Sequence, residues 1–194
     1  MRFSWGLWIG LSLLLFASSA QSEEVRPQQK RKVVEAHAHL NLSGIRLIEK
    51  VMEENGIEWM VNLSGGSPGR GLESAVQLAE LTKGRVVNFY NPDWGRSHEP
   101  DFGVVEARRL ELAVRRHGYA GLKISKHLGL GLRHKSAVLV EVDDSMLDPL
   151  WKKAGELGIP VAIHVADPKA FFEPMGPQNE RWEELSVHPS WSFH

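Results

Sequence analysis

Residues 147–167, LDPLWKKAGELGIPVAIHVAD, carry one complete structural unit. Asp148 and Pro149 open a helix. A carboxylate suits the positive end of a helix, and proline suits the first turn because its missing N–H has no partner there. Leu150, Ala154 and Leu157 recur on one helical face. Gly158 ends the helix, since glycine enters the left-handed conformation of a helix end without steric cost. An apolar run, IPVAIHV, follows at once and reads as a strand.

The same junction occurs upstream at Gly56 before IEWMVNL, at Gly84 before RVVNFY and at Gly118 before YAGLKIS. Each is preceded by an amphipathic stretch. Ile45, Ile48, Val51 and Met52 share one face, as do Leu72, Ala75, Val76 and Ala79, and Ala107, Leu110, Ala113 and Val114. A strand over 32–39 opens the series. The order is a βα unit repeated four times and then a fifth strand, which predicts parallel strands with helical crossovers. A doubly wound open sheet and all or part of a (β/α)8 barrel both fit. In either, chemistry gathers at the C-terminal ends of the strands.

Composition narrows the function. The chain has 194 residues, 42% hydrophobic and 24% charged, with a net charge of −1. These values exclude a disordered tail or a polytopic membrane protein and give no support for nucleic-acid binding. The absence of cysteine removes disulfides, thiol nucleophiles and thiolate metal sites. Arg2, the apolar run Leu7–Phe16 and the small residues Ser18-Ser19-Ala20 have the layout of a secretory signal, too short to span a bilayer comfortably. The expectation is a signal peptide over 1–20 cleaved after Ala20, a disordered lead-in over 21–32 and a folded part over 33–194. The product is secreted or periplasmic, with no membrane attachment after cleavage.

The strand ends hold the chemistry. The first strand closes in EAHAH, so His37 and His39 lie two apart on one face and can converge on a metal ion. The fifth carries His164 in an apolar run, either a core histidine bonded to a carbonyl or a third imidazole ligand. Three imidazoles with open positions suit zinc first, and manganese or iron if a carboxylate joins. Lys123 lies within the apolar fourth strand. It could bind a substrate carboxylate, polarise a carbonyl, bridge two metals once carbamylated, or simply pair with Glu35. The glycine-rich loop 62–69 lacks the lysine of a phosphate-binding loop and reads as a flexible loop of the site. Asn91, Asp93 and Trp94 follow the third strand, Asn91 and Trp94 being candidates for substrate binding. Residues 128–143 read as an insertion with a solvated His134. The apolar loop after the fifth strand, with Phe171 as a further substrate-binding candidate, reads as a lid. His98, His117, His188 and His194 stand in polar or helix-end settings and are not expected to be ligands.

Taken together, VVEAHAHL, GLKIS, LDPLWKKAGELGIPVAIHVADP and KAFFEPMGPQNERWEELSVHPSWSF resemble the amidohydrolase superfamily. The resemblance is nearest to the metal-dependent hydrolases related to aminocarboxymuconate-semialdehyde decarboxylase, and it covers about 33–194. It implies a partial TIM (β/α)8 barrel of about five parallel strands with four to five helices. It places His37 and His39 as first-strand metal ligands and His164 as the fifth-strand ligand. Lys123 falls where binuclear members carry a carboxylated, catalytic lysine, a role not expected in the mononuclear branch. The implied activity is hydrolysis of an amide, lactone or similar carbonyl compound by metal-activated water, or carbon–carbon cleavage in the decarboxylase branch. Members of the superfamily continue to a sixth-strand histidine and an eighth-strand aspartate, and no residue of this chain takes either role.

Two other readings follow from length. Five strands do not close a barrel, so the chain could be an inactive fragment of a truncated reading frame, or a half-barrel that self-associates to cover its open edges. An open-sheet periplasmic binding module using the glycine-rich loop is the remaining alternative. The expected partner in every case is a small molecule.

Overall fold

A computed structural model describes residues 32–165 and 167–194. The signal peptide and residues 21–31 of the lead-in lie outside the described residues. Ten main elements alternate along the chain: β1 (Val33–Ala38), α1 (Ile45–Glu54), β2 (Ile57–Asn62), α2 (Leu72–Leu81), β3 (Val86–Tyr90), α3 (Phe102–His117), β4 (Gly121–Ile124), α4 (Asp148–Leu157), β5 (Val161–Ile163) and α5 (Trp182–Val187).

The helix ends obey the sequence signals. Gly118 and Gly158 take φ of 68° and 64° and return their N–H groups to the last turns of α3 and α4. Arg115, Arg116 and His117 crowd the last turn of α3, where positive charge complements the helix dipole.

All five strands are parallel and their spatial order is β1-β2-β3-β4-β5, the order of the chain. A doubly wound sheet reverses direction at a switch point; this sheet never reverses. Right-handed crossovers that always advance the same way place every crossover helix on one face. The five strands are therefore a curled part of a (β/α) barrel wall, which decides between the two architectures that periodicity left open.

The outer face packs on the helices in two clusters. Ile48 and Met52 of α1 and Leu78 of α2 cover Ile57, Met60 and Val86. Leu110 and Ala113 of α3 and Leu150 and Ala154 of α4 cover Leu122 and Ile124. Leu78 is fully buried although it lies outside the four residues read as the α2 face. The inner face carries Lys123, and Gly121 leaves room for the Phe89 ring, since a Cβ there would meet it at 2.4 Å. β1 and β5 are the edges, and their apolar side chains Val33, Val34, Val161 and Ile163 are exposed. No helix among the described residues is long and apolar enough to cross a membrane.

Candidate active site

The register of β1 against β2 shifts between Glu35 and Ala38. At that irregularity Glu35 turns back and accepts from the His37 N–H at 2.8 Å. The His37 and His39 rings lie side by side at the strand end, with centroids 5.4 Å apart. His39 Nδ1 is 2.8 Å from Ser64 Oγ in the loop after β2. With its proton on Nδ1 and donated to Ser64, His39 keeps the Nε2 lone pair free for a ligand. Burial, and then the charges of His37, Lys123 and His164, hold the His39 pKa below the usual imidazole value. His39 past β1, Lys123 of β4 and His164 past β5 line one cavity.

Lys123 is 5% exposed, and burial lowers its pKa. Among the described residues nothing accepts a hydrogen bond from its Nζ. Glu35 is committed to His37, so the expected alternative, a Lys123–Glu35 ion pair, is not formed. His164 stands one residue past β5, its N–H donating to Ile124 O at 3.1 Å. Among the described residues its Nε2 is buried without a hydrogen-bond partner, and so is Asp167 Oδ2, 3.4 Å away. The other carboxylate oxygen of Asp167 lies 3.5 Å from Lys126 Nζ.

A cavity of about 500 Å³ has His39, Ser64, Arg70, Lys123, Lys126 and His164 in its polar wall, while His37 and Asp167 lie outside its lining. It has three cationic side chains and no carboxylate among its described lining residues. A neighbouring cavity of about 440 Å³ shares Arg70 and Asn91 and adds Asp93, Trp94 and His127. Arg70 Nε lies 2.8 Å from Asp93 Oδ1 at the boundary between the two.

The other predicted residues divide differently. Asn91 lines both cavities, but its amide is a strut: Oδ1 accepts from Gly66 N at 2.8 Å and Nδ2 donates to Leu63 O at 3.0 Å. Tyr119 also donates to Gly65 O at 2.6 Å. The glycine-rich loop read as flexible is pinned from two sides. Its glycines serve close packing, since a Cβ on Gly65 would fall 2.2 Å from Phe89 O. Trp94 lines the second cavity, packs on Phe102 at 5.5 Å, and buries its Nε1 without an acceptor among the described residues. Phe171, read as a substrate contact, is 5% exposed and packs against Trp191, so it holds the lid together. Phe172 is the ring that reaches a cavity, one of about 590 Å³ that it shares with His164 and Asp167. His134, read as solvated, instead pairs with Asp144 at 2.6 Å.

Four contributors were missed by the sequence reading. Ser64 and Arg70 sat unremarked in or beside the glycine-rich loop, and Asp167 was visible in HVAD but had no periodic signal. Glu106 sits in a helix where a carboxylate ordinarily faces water. Here it is fully buried and accepts from Tyr90 Oη at 2.6 Å, from Asp93 N at 3.2 Å and from Arg109 at 2.8 Å. It thereby fixes the loop that carries Asp93. Burial and the Glu106 carboxylate push the Tyr90 pKa far up.

Among the described residues, no three histidine or acidic groups are gathered tightly enough to enclose an ion as they stand. The donor set nevertheless suits one. Three imidazoles lie at the same end of the strands, one has its Nδ1 against Ser64 Oγ, and one buries a nitrogen that has no hydrogen-bond partner among the described residues.

No family model and no curated protein matches the chain. Solved structures do. The chain is similar to 4-oxalomesaconate hydratase from Rhodopseudomonas palustris, at 20% identity and a TM-score of 0.49, over 66% of this chain and 40% of that one. It is similar to an amidohydrolase-like protein from Staphylococcus aureus, at 16% identity and a TM-score of 0.48, over 81% and 56%. It is also similar to 5-carboxyvanillate decarboxylase from Novosphingobium aromaticivorans, solved with bound manganese, at 16% identity and a TM-score of 0.44, over 77% and 40%. The chain thus spans between two-fifths and just over half the length of these structures.

Proposed function

We propose that this chain carries the metal-binding wall of an amidohydrolase-type barrel and that its activity is metal-dependent hydrolysis of an amide, lactone or related carbonyl substrate. The observation that carries the proposal is that His39, Lys123 and His164, from β1, β4 and the end of β5, line one cavity, with the His37 ring 5.4 Å from that of His39. His37, His39 and His164 would hold a divalent metal, zinc first, with manganese and iron as the other candidates. The metal, when bound, supplies Lewis acidity toward water and toward a carbonyl oxygen.

The protein's own groups have distinct tasks. Lys123, buried and without a partner among the described residues, presents a positive charge to a substrate oxygen where little water screens it. Arg70 and Lys126 at the rim orient an anionic arm of the substrate. Ser64 fixes the His39 ring. The cationic wall also favours a second reading, decarboxylation, because a substrate carboxylate is the group such a wall binds best.

The test is a panel of lactones, amides and aromatic carboxylates incubated with Zn²⁺- or Mn²⁺-loaded protein, following hydrolysis and CO2 release separately. The expected result is chelator-sensitive hydrolysis abolished in His37→Ala and His39→Ala. Chelator-sensitive CO2 release without hydrolysis selects the decarboxylase. Metal uptake with no turnover selects an inactive barrel fragment, and absence of bound metal overturns the site. We also propose export with cleavage after Ala20, which sequencing the amino terminus of the secreted protein tests.

A further inference from the structure

Lys123 differs from the other two cations of its cavity. Arg70 has Asp93 at 2.8 Å and Lys126 has Asp167 at 3.5 Å. Lys123 is only 5% exposed, lines the cavity, and has neither a carboxylate nor a hydrogen-bond acceptor among the described residues. An ammonium removed from water without a counter-ion is costly. Lysine, unlike arginine, relieves that cost by giving up a proton. Burial accordingly lowers the Lys123 pKa and raises the share of free amine, the nucleophilic form.

The fold holds that amine in place. β4 is an inner strand, paired to β3 on one side and to β5 on the other. Leu122 and Ile124 turn to the helices, so Lys123 between them turns inward. Its partner on β5 is Ala162, and Gly121, two residues earlier on the same face, meets the Phe89 ring. Small Ala162 leaves the side chain room to reach the cavity, and the ring makes the floor beneath it apolar. At about 500 Å³ the cavity has the size of a small-molecule site.

We propose that Lys123 is a covalent nucleophile, forming an imine with the carbonyl carbon of a small oxo acid whose carboxylate Arg70 and Lys126 hold. The amine lone pair makes the C–N bond as the C=O bond breaks. Of the three protons of the ammonium form, two leave with the carbonyl oxygen as water and the third stays on the iminium nitrogen. Positive charge is conserved, and the substrate brings a carboxylate to a wall of three cations. The iminium draws electrons from the adjoining carbon, which loosens a proton or a carboxyl group there. The reaction needs no metal. It borrows from the reading above only the carboxylate-holding role of Arg70 and Lys126.

Reductive trapping tests it. Protein treated with chelator is incubated at neutral pH with pyruvate and cyanoborohydride, digested, and mapped by mass spectrometry. A trapped lysine gains the mass of pyruvic acid less one oxygen atom. Lys169, whose side chain is 90% exposed, is the internal standard for an ordinary surface amine. Access alone would make Lys123 the slower of the two. The expected result is that Lys123 is labelled at least about tenfold faster than Lys169, at a rate that saturates in pyruvate. Lys123→Arg should lose the saturable label, and Arg70→Gln should raise the pyruvate concentration at half-saturation about 3–10-fold. Labelling of Lys123 no faster than that of Lys169, or a saturable label that survives in Lys123→Arg, overturns the imine. An unchanged half-saturation in Arg70→Gln overturns the carboxylate contact. The comparison of Lys123 with Lys169 lies within one wild-type molecule, so it decides even where a variant fails to fold. Trapping at Lys123 beside a Zn²⁺ titration that shows no uptake sinks the metal reading alone; uptake without trapping sinks the imine alone.

Discussion

Replacing Glu106 by leucine isolates what one buried carboxylate does for this fold. Glu106 has no exposed surface and serves three donors: Tyr90 Oη, the Asp93 N–H and Arg109. Leucine fills the space but accepts nothing. The Arg109 side chain is 27% exposed and can turn to water. Tyr90, fully buried, and the Asp93 N–H cannot escape as easily. Leaving the buried Tyr90 hydroxyl and the part-buried Asp93 N–H unsatisfied costs about 1–3 kcal/mol each, so about 4 kcal/mol in all. For a domain of this size that lowers Tm by roughly 8–16 °C. Circular dichroism melting is the assay, with Tyr90→Phe as the second arm. If the orphaned hydroxyl is a main source of the loss, Glu106→Leu/Tyr90→Phe should melt higher than Glu106→Leu alone. A Glu106→Leu variant melting within about 3 °C of wild type, or a double variant showing simple additive loss, would refute the reasoning.

Further outcomes follow from other contacts. Gly103→Ala should destabilise by about 3 kcal/mol in urea unfolding, at the upper end of ordinary overpacking, because its Cβ would fall 1.9 Å from Met146 O. Ser64→Ala should weaken Zn²⁺ binding by about 10–100-fold in a competition titration while leaving the apo Tm unchanged. Asp144 is held below the usual carboxylate range by the Met146 N–H and then by His134. Because the folded form binds the proton less readily, its stabilisation is full above the unfolded pKa of about 3.9 and is lost as pH falls through the lower folded value. Asp144→Ala should therefore cost about 1 kcal/mol at pH 6, a gap that narrows below pH 4. The exposed Val33, Val34, Val161 and Ile163 edges lead us to propose self-association. Light scattering after size exclusion should give more than one copy per particle, reduced in Ile163→Lys.

The architecture was legible because its signals are local. Glycine at the helix ends and the apolar faces of the helices follow from backbone sterics and periodicity, and Gly118 and Gly158 take the positive φ those signals imply. Choosing between the two parallel architectures was not local. It depended on which strand lies beside which, and that appears only in the strand order. In the site, HxH and His164 were visible because their positions relative to strand ends could be counted. Phe171 and Phe172 were not distinguishable from sequence, since neighbours on a short 3-10 turn face different ways and one is buried while the other is exposed. Glu106 was invisible for a related reason: its partners Tyr90 and Asp93 lie 16 and 13 residues away, on the strand and loop before its helix.

The unreversed strand order has a kinetic side. Every strand pairs with the one that precedes it in the chain, and every crossover helix packs beside strands made within a few dozen residues of it. No pairing must wait for a distant segment, so loop-closure entropy is small at each step and the sheet can be laid down in the order of synthesis. His37 and His39 are then in place at the end of the first strand long before His164 arrives just past β5, so the proposed metal ligands come together only once the wall has grown that far.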